Sequence, residues 1–555
     1  MIQSDSFKRM PGRKETSWRF VVVMLALMLS LPVAVVFSFV FTPSSEVWRH
    51  LYDTVLGDYL TNSFLLMLEV AIGTLLLGVS TGWLTTMCRF PGRRFFEWAL
   101  LLPMAIPAYI IAYTYTGLLD ESGLVQTALR HVFGWQFGDY WFPDIRSLWG
   151  AGLMLSLVLY PYVYLMSRAA FLEQSICVLE VSRSLGNGPW RTLFRVALPL
   201  ARPAIIAGLS LALMETLADY GTVQYFGVST FTTGIFRTWF GLDDSPAAAQ
   251  LASVLLGFVF TLILLERYSR RKMRFHHTGQ KHHSLPGFEL KGWRGGLSFL
   301  ICLTVFLLGF LIPAGLLVEW SLITYEKMVD AGFYRLVLNS LGLAGLTTCL
   351  ALVLALILGY GRRLLNDRVT AAMVRVAGMG YAIPGTVIAV GIMLPFAWID
   401  NNLDAYAREH WGISTGLLLS GTLVALVSAY LVRFLAVSLS AVESGLGKIR
   451  PSLDESARSL GLRPLGVLRQ IHLPLLRSTL MTALLLVFVD VLKELPATLI
   501  LRPFNFNTLA VRAYEMASDE RLREAAPAAI AIVLAGLIPV ILLSHSIRST
   551  RPYEK

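Results

Sequence analysis

The chain has 555 residues, of which 55% are hydrophobic and 15% are charged, and its formal net charge is +11. Its mean hydropathy is +0.62, whereas a soluble domain carries about 25% charged residues. The composition therefore excludes an ordinary soluble globular protein and predicts an integral membrane protein.

Long apolar segments recur along the whole chain, most of them near the ~20 residues that a helix needs to cross the hydrocarbon core. Because backbone groups in lipid must be paired within the segment, each is predicted to be a helix. The predicted helices of the first half cover residues 20–41, 65–86, 95–115, 148–165, 204–225 and 251–265. Those of the second half cover residues 297–317, 336–360, 371–396, 417–439, 478–500 and 525–543. The sequence thus predicts an all-α integral membrane protein with about twelve transmembrane helices.

Connections that contain many Lys and Arg residues alternate along the chain with connections that contain few. Lys and Arg crowd both ends and the connections at residues 88–94, 179–203, 267–294, 361–368 and 454–477. By the positive-inside rule, these connections and both termini are predicted to be cytoplasmic. Membrane topology therefore explains the net charge, and no nucleic-acid partner is needed; the lipid bilayer is the expected surrounding.

The two halves of the chain share motifs at a constant spacing. Asn-Ser at positions 62–63 recurs at 339–340, and Ala-Ile-Pro at 105–107 recurs at 382–384, in both cases 277 residues later. Six helices per copy give both copies the same orientation, with an axis along the membrane normal and the substrate path between them. The predicted organisation is a cytoplasmic tail (1–19), a first six-helix repeat (20–266), a basic His-rich linker (267–294), a second six-helix repeat (295–545) and a cytoplasmic tail (546–555).

The best-matched segments are two polar cytoplasmic loops, at residues 179–199 and 454–474. In each, an acidic residue is placed to begin a short helix, a Gly to adopt positive φ and a Pro to break the chain before the membrane helix. The residues are Glu180, Ser182, Gly186 and Pro199 in the first loop and Glu455, Ala457, Gly461 and Pro474 in the second. Pro189 and Pro464 are placed to start the next helical piece. A surface feature present twice predicts a two-fold partner, and a plain solvated loop is the alternative.

This loop pattern resembles the EAA loop of ABC importer permeases. In that family the loop forms a coupling helix that sits in a cleft of the ATPase subunit. The resemblance covers both halves, so the chain resembles a fused permease that engages two copies of an ABC ATPase and an external solute-binding protein, in a bacterial inner membrane. The loops depart from the Glu-Ala-Ala signature, with Glu-Val-Ser at 180–182 and Glu-Ser-Ala at 455–457, but both keep a small third residue.

A further segment resembles the permeases of ferric-iron importers. It reads ALPLARPAIIAGLSLALMETLADYGTVQYFGV, and FTTGIFRTWF follows shortly after it. The resemblance implies ferric iron as the substrate. Thiamine and phosphonate permeases share the fused plan, so another small solute remains the alternative.

Two pairs of carboxylates lie in the predicted fifth and eleventh helices. The candidate residues of the translocation path are Glu215, Asp219, Tyr220, Gln224, Asp490 and Glu494. The spacing of four residues within each pair of acids predicts that both lie on one helical face, and a carboxylate facing lipid would cost about 2.5–3.5 kcal/mol. We therefore expect the four acids to face the interior as an acidic ring that holds the metal cation transiently, since hard cations prefer carboxylate oxygens.

A structural interpretation of the same residues remains open. Tyr220 and Gln224 have side chains that can hydrogen-bond the acids into a packing network. Lys493 lies beside Glu494 in the sequence and can neutralise part of the charge.

The other motifs in the sequence do not indicate an enzymatic activity. There is no Gly-x-x-x-x-Gly-Lys-Ser/Thr motif, so ATP is expected on the partner ATPase, and this chain is expected to hold no cofactor and no catalytic residue. The Gly-x-Ser-x-Gly pattern at 78–82 lies in a predicted membrane helix, where small residues serve close packing. The histidines at 276–277 and 282–283 indicate a polar linker, with metal binding as the alternative.

A secondary transporter of the major-facilitator kind is the main rival interpretation. It also has six plus six helices, and the Gly- and Arg-rich connections at 89–94 and 361–368 fit it. The Asp-Arg placement expected there is absent, and such a transporter would not need duplicated docking loops.

Overall fold

The computed structural model describes residues 13–43, 46–173, 182, 184, 186, 188–271 and 288–549. Within these residues, eleven helices are long and apolar enough to cross a membrane, and the bent pair Arg93–Ala105 and Ala108–Phe133 is a twelfth candidate. The predicted all-α membrane architecture with about twelve spans is confirmed.

The elements of the first half, in chain order, are α1 (Arg13–Ser38), a 3-10 turn (Phe39–Phe41), α2 (Glu46–Thr54), α3 (Leu56–Met87), β1 (Cys88–Arg89), α4 (Arg93–Ala99), a 3-10 turn (Leu102–Ala105), α5 (Ala108–Leu119), α6 (Leu124–Phe133), α7 (Leu148–Glu173), α8 (Pro189–Thr192), a π turn (Leu193–Ala197), α9 (Leu198–Ala218), α10 (Gly221–Tyr225), α11 (Phe231–Phe236), a π turn (Arg237–Gly241) and α12 (Ser245–Arg271).

The second half continues with β2 (Phe288–Glu289), α13 (Trp293–Phe306), a π turn (Leu307–Leu311), α14 (Ile312–Met328), α15 (Ala331–Leu365), α16 (Arg368–Ala377), a 3-10 turn (Gly380–Ala382), α17 (Gly385–Trp411), α18 (Leu423–Gly447), α19 (Pro451–Ser459), α20 (Pro464–Val467), a π turn (Leu468–His472), α21 (Leu473–Leu492), α22 (Pro496–Leu501), α23 (Leu509–Ser518) and α24 (Leu522–Ser549).

Both repeats break their third predicted helix at the shared Ala-Ile-Pro motif. In the first repeat, the 3-10 turn Leu102–Ala105 ends just before the proline, and the helices on its two sides meet at 94°. In the second repeat, the 3-10 turn Gly380–Ala382 has the same place before α17. Proline has no amide hydrogen and disfavours a helical residue before it, and Ile106 is extended, with φ −101° and ψ 121°. The prediction of continuous helices over 95–115 and 371–396 is therefore wrong.

Small residues let α3 and α7 pack closely. A methyl group at Gly78 would lie 2.7 Å from Cβ of Val163 and 2.9 Å from the carbonyl oxygen of Tyr160. A methyl group at Gly82 would lie 2.5 Å from Oγ of Ser167. The packing interpretation of the Gly-x-Ser-x-Gly pattern is confirmed, because small residues permit such an approach between membrane helices.

The chain divides into two compact units that do not follow the sequence repeats. The smaller unit consists of Met1–Val35, Gly342–Tyr381 and Gly391–Val491. The larger unit consists of Val36–Leu341, Ala382–Val390 and Leu492–Lys555. Each unit therefore combines segments of both repeats, while the boundaries predicted for the duplication itself stay a prediction.

The core of the larger unit contains side chains from both repeats. Trp320 of α14 is buried, and a methyl group at Gly117 of α5 would lie 2.5 Å from its ring. A methyl group at Gly536 of α24 would lie 2.8 Å from the carbonyl oxygen of Ala105. Close backbone approach at these two glycines lets helices of the second repeat pack on the first.

In the smaller unit, α1 packs against α15 of the second repeat. A methyl group at Gly361 would lie 2.5 Å from Cγ2 of Val22. The rings of Trp18 and Tyr360 meet edge to face, with centroids 5.7 Å apart. The first predicted helix, up to Val35, therefore shares its compact unit with segments of the second repeat, whereas Val36 accepts a hydrogen bond from Ser253 of the first repeat.

Candidate translocation and coupling sites

The fifth helix of each repeat ends earlier than the sequence predicts. Helix α9 ends at Ala218 and α21 at Leu492, whereas the predicted helices run to 225 and 500. Asp219 follows with extended backbone, φ −68° and ψ 132°. The prediction that each acid pair shares one helical face is therefore wrong for Asp219 and Glu494, since the helix ends before the second acid.

Asp219 caps the short helix α10. Its Oδ1 accepts the backbone N–H groups of Thr222 at 3.0 Å and Val223 at 3.1 Å. Its Oδ2 accepts the hydroxyl of Thr222 at 3.0 Å. The carboxylate thus supplies acceptors to N–H groups that a helix start leaves unpaired.

Glu494 does the same for α22. Its Oε1 accepts the backbone N–H of Ala497 at 3.0 Å, and its Oε2 accepts the N–H and hydroxyl of Thr498 at 3.1 and 2.8 Å. Glu494 is 4% exposed. In both repeats the carboxylate therefore binds the N–H groups three and four residues further on. We call Asp219–Tyr225 and Glu494–Leu501 the two acid turns.

The two acid turns approach each other in the larger unit. A methyl group at Gly221 would lie 2.7 Å from Cβ of Tyr109 and 2.9 Å from Cδ2 of Leu495. Tyr109 also lies within electrostatic range of both Asp219 and Glu494. Only a glycine at position 221 leaves room for this approach. The two acid turns, one from each repeat, therefore meet beside the first turn of α5.

The other predicted path residues have separate surroundings. Glu215 is half-buried within α9, and Gln224 is half-buried within α10. Tyr220 is buried and stacks on Phe236, with ring centroids 3.7 Å apart. Asp490 is half-buried within α21 and belongs to the smaller unit, whereas the remaining path residues belong to the larger unit.

The acids are not assembled into a resident metal centre in the part of the chain that the structure describes. No group of three or more His, Cys, Asp or Glu side chains there is placed to hold a metal ion. The transient contact predicted for Glu215, Asp219, Asp490 and Glu494 stays a prediction. The hydrogen bonds seen at Asp219 and Glu494 give these two acids a structural role in any case.

The second polar loop, at residues 454–474, is entered through a short helix, α19, that begins at Pro451. The acidic residue in its first turn is Asp454. Glu455 lies one residue beyond, so the expectation that Glu455 begins the helix is wrong, because the helix starts four residues earlier. Glu180, its counterpart in the first loop, lies outside the described residues.

Asp454 anchors α19 to the membrane helices. Its carboxylate accepts from Nε of Arg363 at 2.8 Å and contacts Nε2 of His472 at 2.7 Å. Arg363 also donates to the carbonyl oxygens of Ile449, at 2.9 Å, and Leu446. Burial opposes ionisation of Asp454, but the hydrogen bonds from Arg363 and His472 outweigh it and hold its pKa below the ordinary value.

Each polar loop has a glycine with left-handed backbone, as predicted. Gly186 has φ +78° and Gly461 has φ +85°, a region that favours glycine. Gly461 donates its N–H to the carbonyl oxygen of Arg458 at 3.0 Å, which closes the end of α19. Helices α8 and α20 then begin at prolines in both loops, which confirms that prediction.

The small third residue of each loop is buried. Ser182 and Ala457 are both 3% exposed, and Oγ of Ser182 lies 3.1 Å from Oγ1 of Thr192. The predicted small-residue packing is therefore present in both loops. Their docking on an ATPase stays a prediction.

The prolines at 199 and 474 do not break the chain as expected. In each repeat a π turn, Leu193–Ala197 or Leu468–His472, leads directly into the helix that carries the proline at its start. Proline is tolerated in the first helical turn, where its missing N–H would have no partner, and π turns recur at functional positions. Each span thus continues from the loop into the membrane, over Trp190–Ala218 and Pro464–Leu492.

A comparison with protein families decides between the classes of transporter. The model described as "Binding-protein-dependent transport system inner membrane component" matches residues 74–274 and, again, residues 351–551. The chain belongs to this family. The two matches begin 277 residues apart, the spacing of the shared motifs, so this ABC-importer permease is a tandem duplication. The interpretation as a major-facilitator transporter is wrong.

Relatives of the permease are transport permeases by name. The Fe(3+)-transport system permease protein FbpB 2 of Haemophilus influenzae is 28% identical over 535 residues, which are 94% of this chain and 98% of the relative. The ferric transport system permease protein FbpB of Actinobacillus pleuropneumoniae is 24% identical over 82% of this chain and 66% of its own. The molybdenum transport system permease protein ModB of Escherichia coli is 26% identical over 40% of this chain and 97% of its own. Together with the helices, the family shows a multi-pass inner-membrane protein.

The shared Asn-Ser motif of the permease has a role that the sequence did not reveal. Nδ2 of Asn62 donates to the carbonyl oxygen of Ser229 at 2.9 Å, and Nδ2 of Asn339 donates to that of Asn507 at 3.2 Å. The serine hydroxyl beside each asparagine accepts a backbone N–H two residues further along the same segment. In both repeats the motif therefore fixes the chain between the acid turn and the next helix.

Proposed function

We propose that the permease carries ferric iron, which a separate solute-binding protein delivers from outside. The observation that carries this proposal is the similarity, over nearly the full length of both chains, to a relative named for Fe(3+) transport. The acid turns support a cation, because hard cations prefer carboxylate oxygens and an oxyanion would be repelled. The match to the relative named for molybdenum covers 230 residues, which is about the length of one repeat of this chain.

The driving force in this proposal is ATP hydrolysis on a separate ABC ATPase. Two copies of the ATPase are supported by the two cytoplasmic loops, which share a left-handed glycine, a buried small residue and a proline-initiated helix. ATP then binds the partner, and this chain holds no cofactor. The distribution of Lys and Arg supports cytoplasmic placement of both loops and both termini.

A continuous helical span joins each cytoplasmic loop to its acid turn. The spans Trp190–Ala218 and Pro464–Leu492 have 29 residues each, or about 43 Å at 1.5 Å per residue. When the closing ATPase dimer displaces the loop, the helical span moves with it as a rigid body. The acid turn at the other end moves with it, so that access alternates between the two sides of the membrane.

Reconstitution tests the substrate. The permease, its ATPase and the solute-binding protein encoded nearby are placed in proteoliposomes, and the binding protein is loaded with ⁵⁵Fe(III) or with ⁹⁹Mo-molybdate. We expect ATP-dependent uptake of iron and none of molybdate. Uptake of molybdate alone would overturn the substrate while leaving the ABC mechanism in place. An ATPase variant that binds but does not hydrolyse ATP is the control.

A further inference from the structure

Tyr109 has a buried hydroxyl that the packing does not explain. It lies in the first turn of α5 and is 6% exposed. Its Oη has no hydrogen-bond partner among the residues that the structure describes. Buried polar groups are almost always paired, because an unpaired one costs free energy.

The surroundings of Tyr109 point to a cation. Its ring packs against Gly221 of one acid turn, which in turn contacts Leu495 of the other. The hydroxyl lies within electrostatic range of Asp219 and Glu494. Carboxylate and phenol oxygens are ligands for hard or ferric ions. An oxygen without a partner, on a side chain that packs where the two acid turns approach each other, is suited to meet a cation in transit.

The second repeat carries a hydroxyl at the equivalent position. Thr386 lies 277 residues after Tyr109 and two residues after the proline of its own Ala-Ile-Pro motif. It is fully buried, and within the described ranges its Oγ1 also has no hydrogen-bond partner. A buried hydroxyl without a hydrogen-bond partner therefore occurs at the same position of both repeats.

We propose that the hydroxyl of Tyr109 contacts the transported cation as it passes the two acid turns. This inference rests on the proposed ferric-iron function and adds a residue to it. The phenol acts through its oxygen lone pair and stays protonated, so no proton or electron is transferred.

The variant Tyr109→Phe separates this role from a structural one. It keeps the ring that packs on Gly221 and removes only the oxygen. Since that oxygen has no partner here, thermal stability of the complete permease–ATPase complex should be unchanged or slightly higher. Initial ⁵⁵Fe(III) uptake from the loaded binding protein should nevertheless fall about tenfold, the size of one lost polar contact, while ATP hydrolysis stimulated by the binding protein persists.

Tyr113→Phe is the matched control. Tyr113 lies one helical turn further along α5, is 1% exposed, and its Oη is likewise without a hydrogen-bond partner in the described part of the chain. Its strongest electrostatic neighbours are the hydroxyls of Tyr109 and Tyr225 rather than a carboxylate. We expect its uptake to stay within about twofold of the wild type.

Three results would overturn the inference, and they are distinguishable. If Tyr109→Phe takes up ⁵⁵Fe(III) at the wild-type rate, the hydroxyl has no role in transport, and the proposal of ferric-iron transport is unaffected. Equal losses in Tyr109→Phe and Tyr113→Phe show that the acid turns are not the reason. A wild type that takes up molybdate and no ⁵⁵Fe(III) removes the proposed substrate and, with it, this inference.

Discussion

The two repeats agree at their acid turns and differ at their polar loops, residues 179–199 and 454–474. Asp219 and Glu494 cap equivalent short helices through N–H groups three and four residues further on. The second loop is held by an ionic network of Arg363, Asp454 and His472. At the offsets of 277 and 275 residues that align the helices and loops, the first repeat has Thr86, Leu179 and Ala197.

The two repeats therefore share the acid turn but not the ionic anchor of the loop. The acid turn depends on one side chain capping the next helix, and either Asp or Glu satisfies the same N–H groups. The ionic anchor needs three residues on three elements, and only the second repeat has them. The second loop is therefore attached to its membrane helices by charge, whereas the first loop lacks these three residues.

The largest effect is expected from Arg363→Thr, which gives the second repeat the residue of the first. It leaves Asp454 and two carbonyl oxygens without their cationic partner. Breaking a largely buried ion pair costs about 3 kcal/mol, and we expect that decrease in the free energy of unfolding. Denaturant unfolding of the purified permease measures it. The matched change Thr86→Val should cost less than about 0.5 kcal/mol, and equal costs at both positions would remove the asymmetry.

Removal of either acid cap should have the next largest effect. Asp219→Ala leaves two N–H groups and the Thr222 hydroxyl without an acceptor. Glu494→Ala leaves two N–H groups without one, while the Thr498 hydroxyl keeps the backbone carbonyl oxygen of residue 494. The two N–H groups dominate the cost, which is about 2 kcal/mol in each case. The two variants should lose the same stability within error, because the capping geometry is the same. Asp219→Asn keeps one acceptor oxygen and should lose about half as much. A cost at only one of the two positions would contradict the equivalence of the turns.

A smaller effect is expected from pH at the second loop. Burial opposes ionisation of Asp454, but the hydrogen bonds from Arg363 and His472 prevail, so its folded-state pKa is lowered. A lowered pKa contributes stability that is present above the unfolded pKa of about 3.9 and is lost as pH falls through the folded value. The wild type should therefore lose stability below about pH 4 more steeply than Asp454→Asn. Unfolding curves between pH 6 and pH 3 test this, and parallel curves would refute the anchor.

The smallest effect is expected at the serines of the Asn-Ser motifs. Oγ of Ser340 accepts the N–H of Leu509 at 2.8 Å, whereas Oγ of Ser63 accepts that of Phe231 at 3.4 Å. Ser340→Ala should cost about 1 kcal/mol, the worth of one buried hydrogen bond, and Ser63→Ala less. The reverse order, measured by unfolding, would show that the two motifs hold their segments differently.

The sequence predicts the parts of this fold that depend on local pattern. Hydropathy locates the helices, and the recurrence of short motifs reveals the duplication. The positive φ of Gly461 follows from its place after a short polar helix, α19, and Gly186 at the equivalent position has a positive φ as well. These features are predictable because each depends on residues that are neighbours in the chain.

The sequence analysis does not predict the acid turns, because the hydropathy pattern does not show where the helices before them end. Apolar residues continue past Ala218 and Leu492, so the predicted helix continues as well. One local signal does mark the break in the second repeat, since Glu494 and Pro496 together indicate a helix start. The packing of α1 against the second repeat is a contact between residues distant in the chain, and no local pattern contains it.

Uptake of ⁵⁵Fe(III) into proteoliposomes that contain the complete complex tests the central claim most directly. ATP is supplied on the side of the ATPase, and ionophores collapse every ion gradient. The account predicts that uptake requires hydrolysable ATP and the ATPase subunit and continues undiminished with the ionophores present. Uptake that persists without the ATPase and stops when the gradients are collapsed would contradict it.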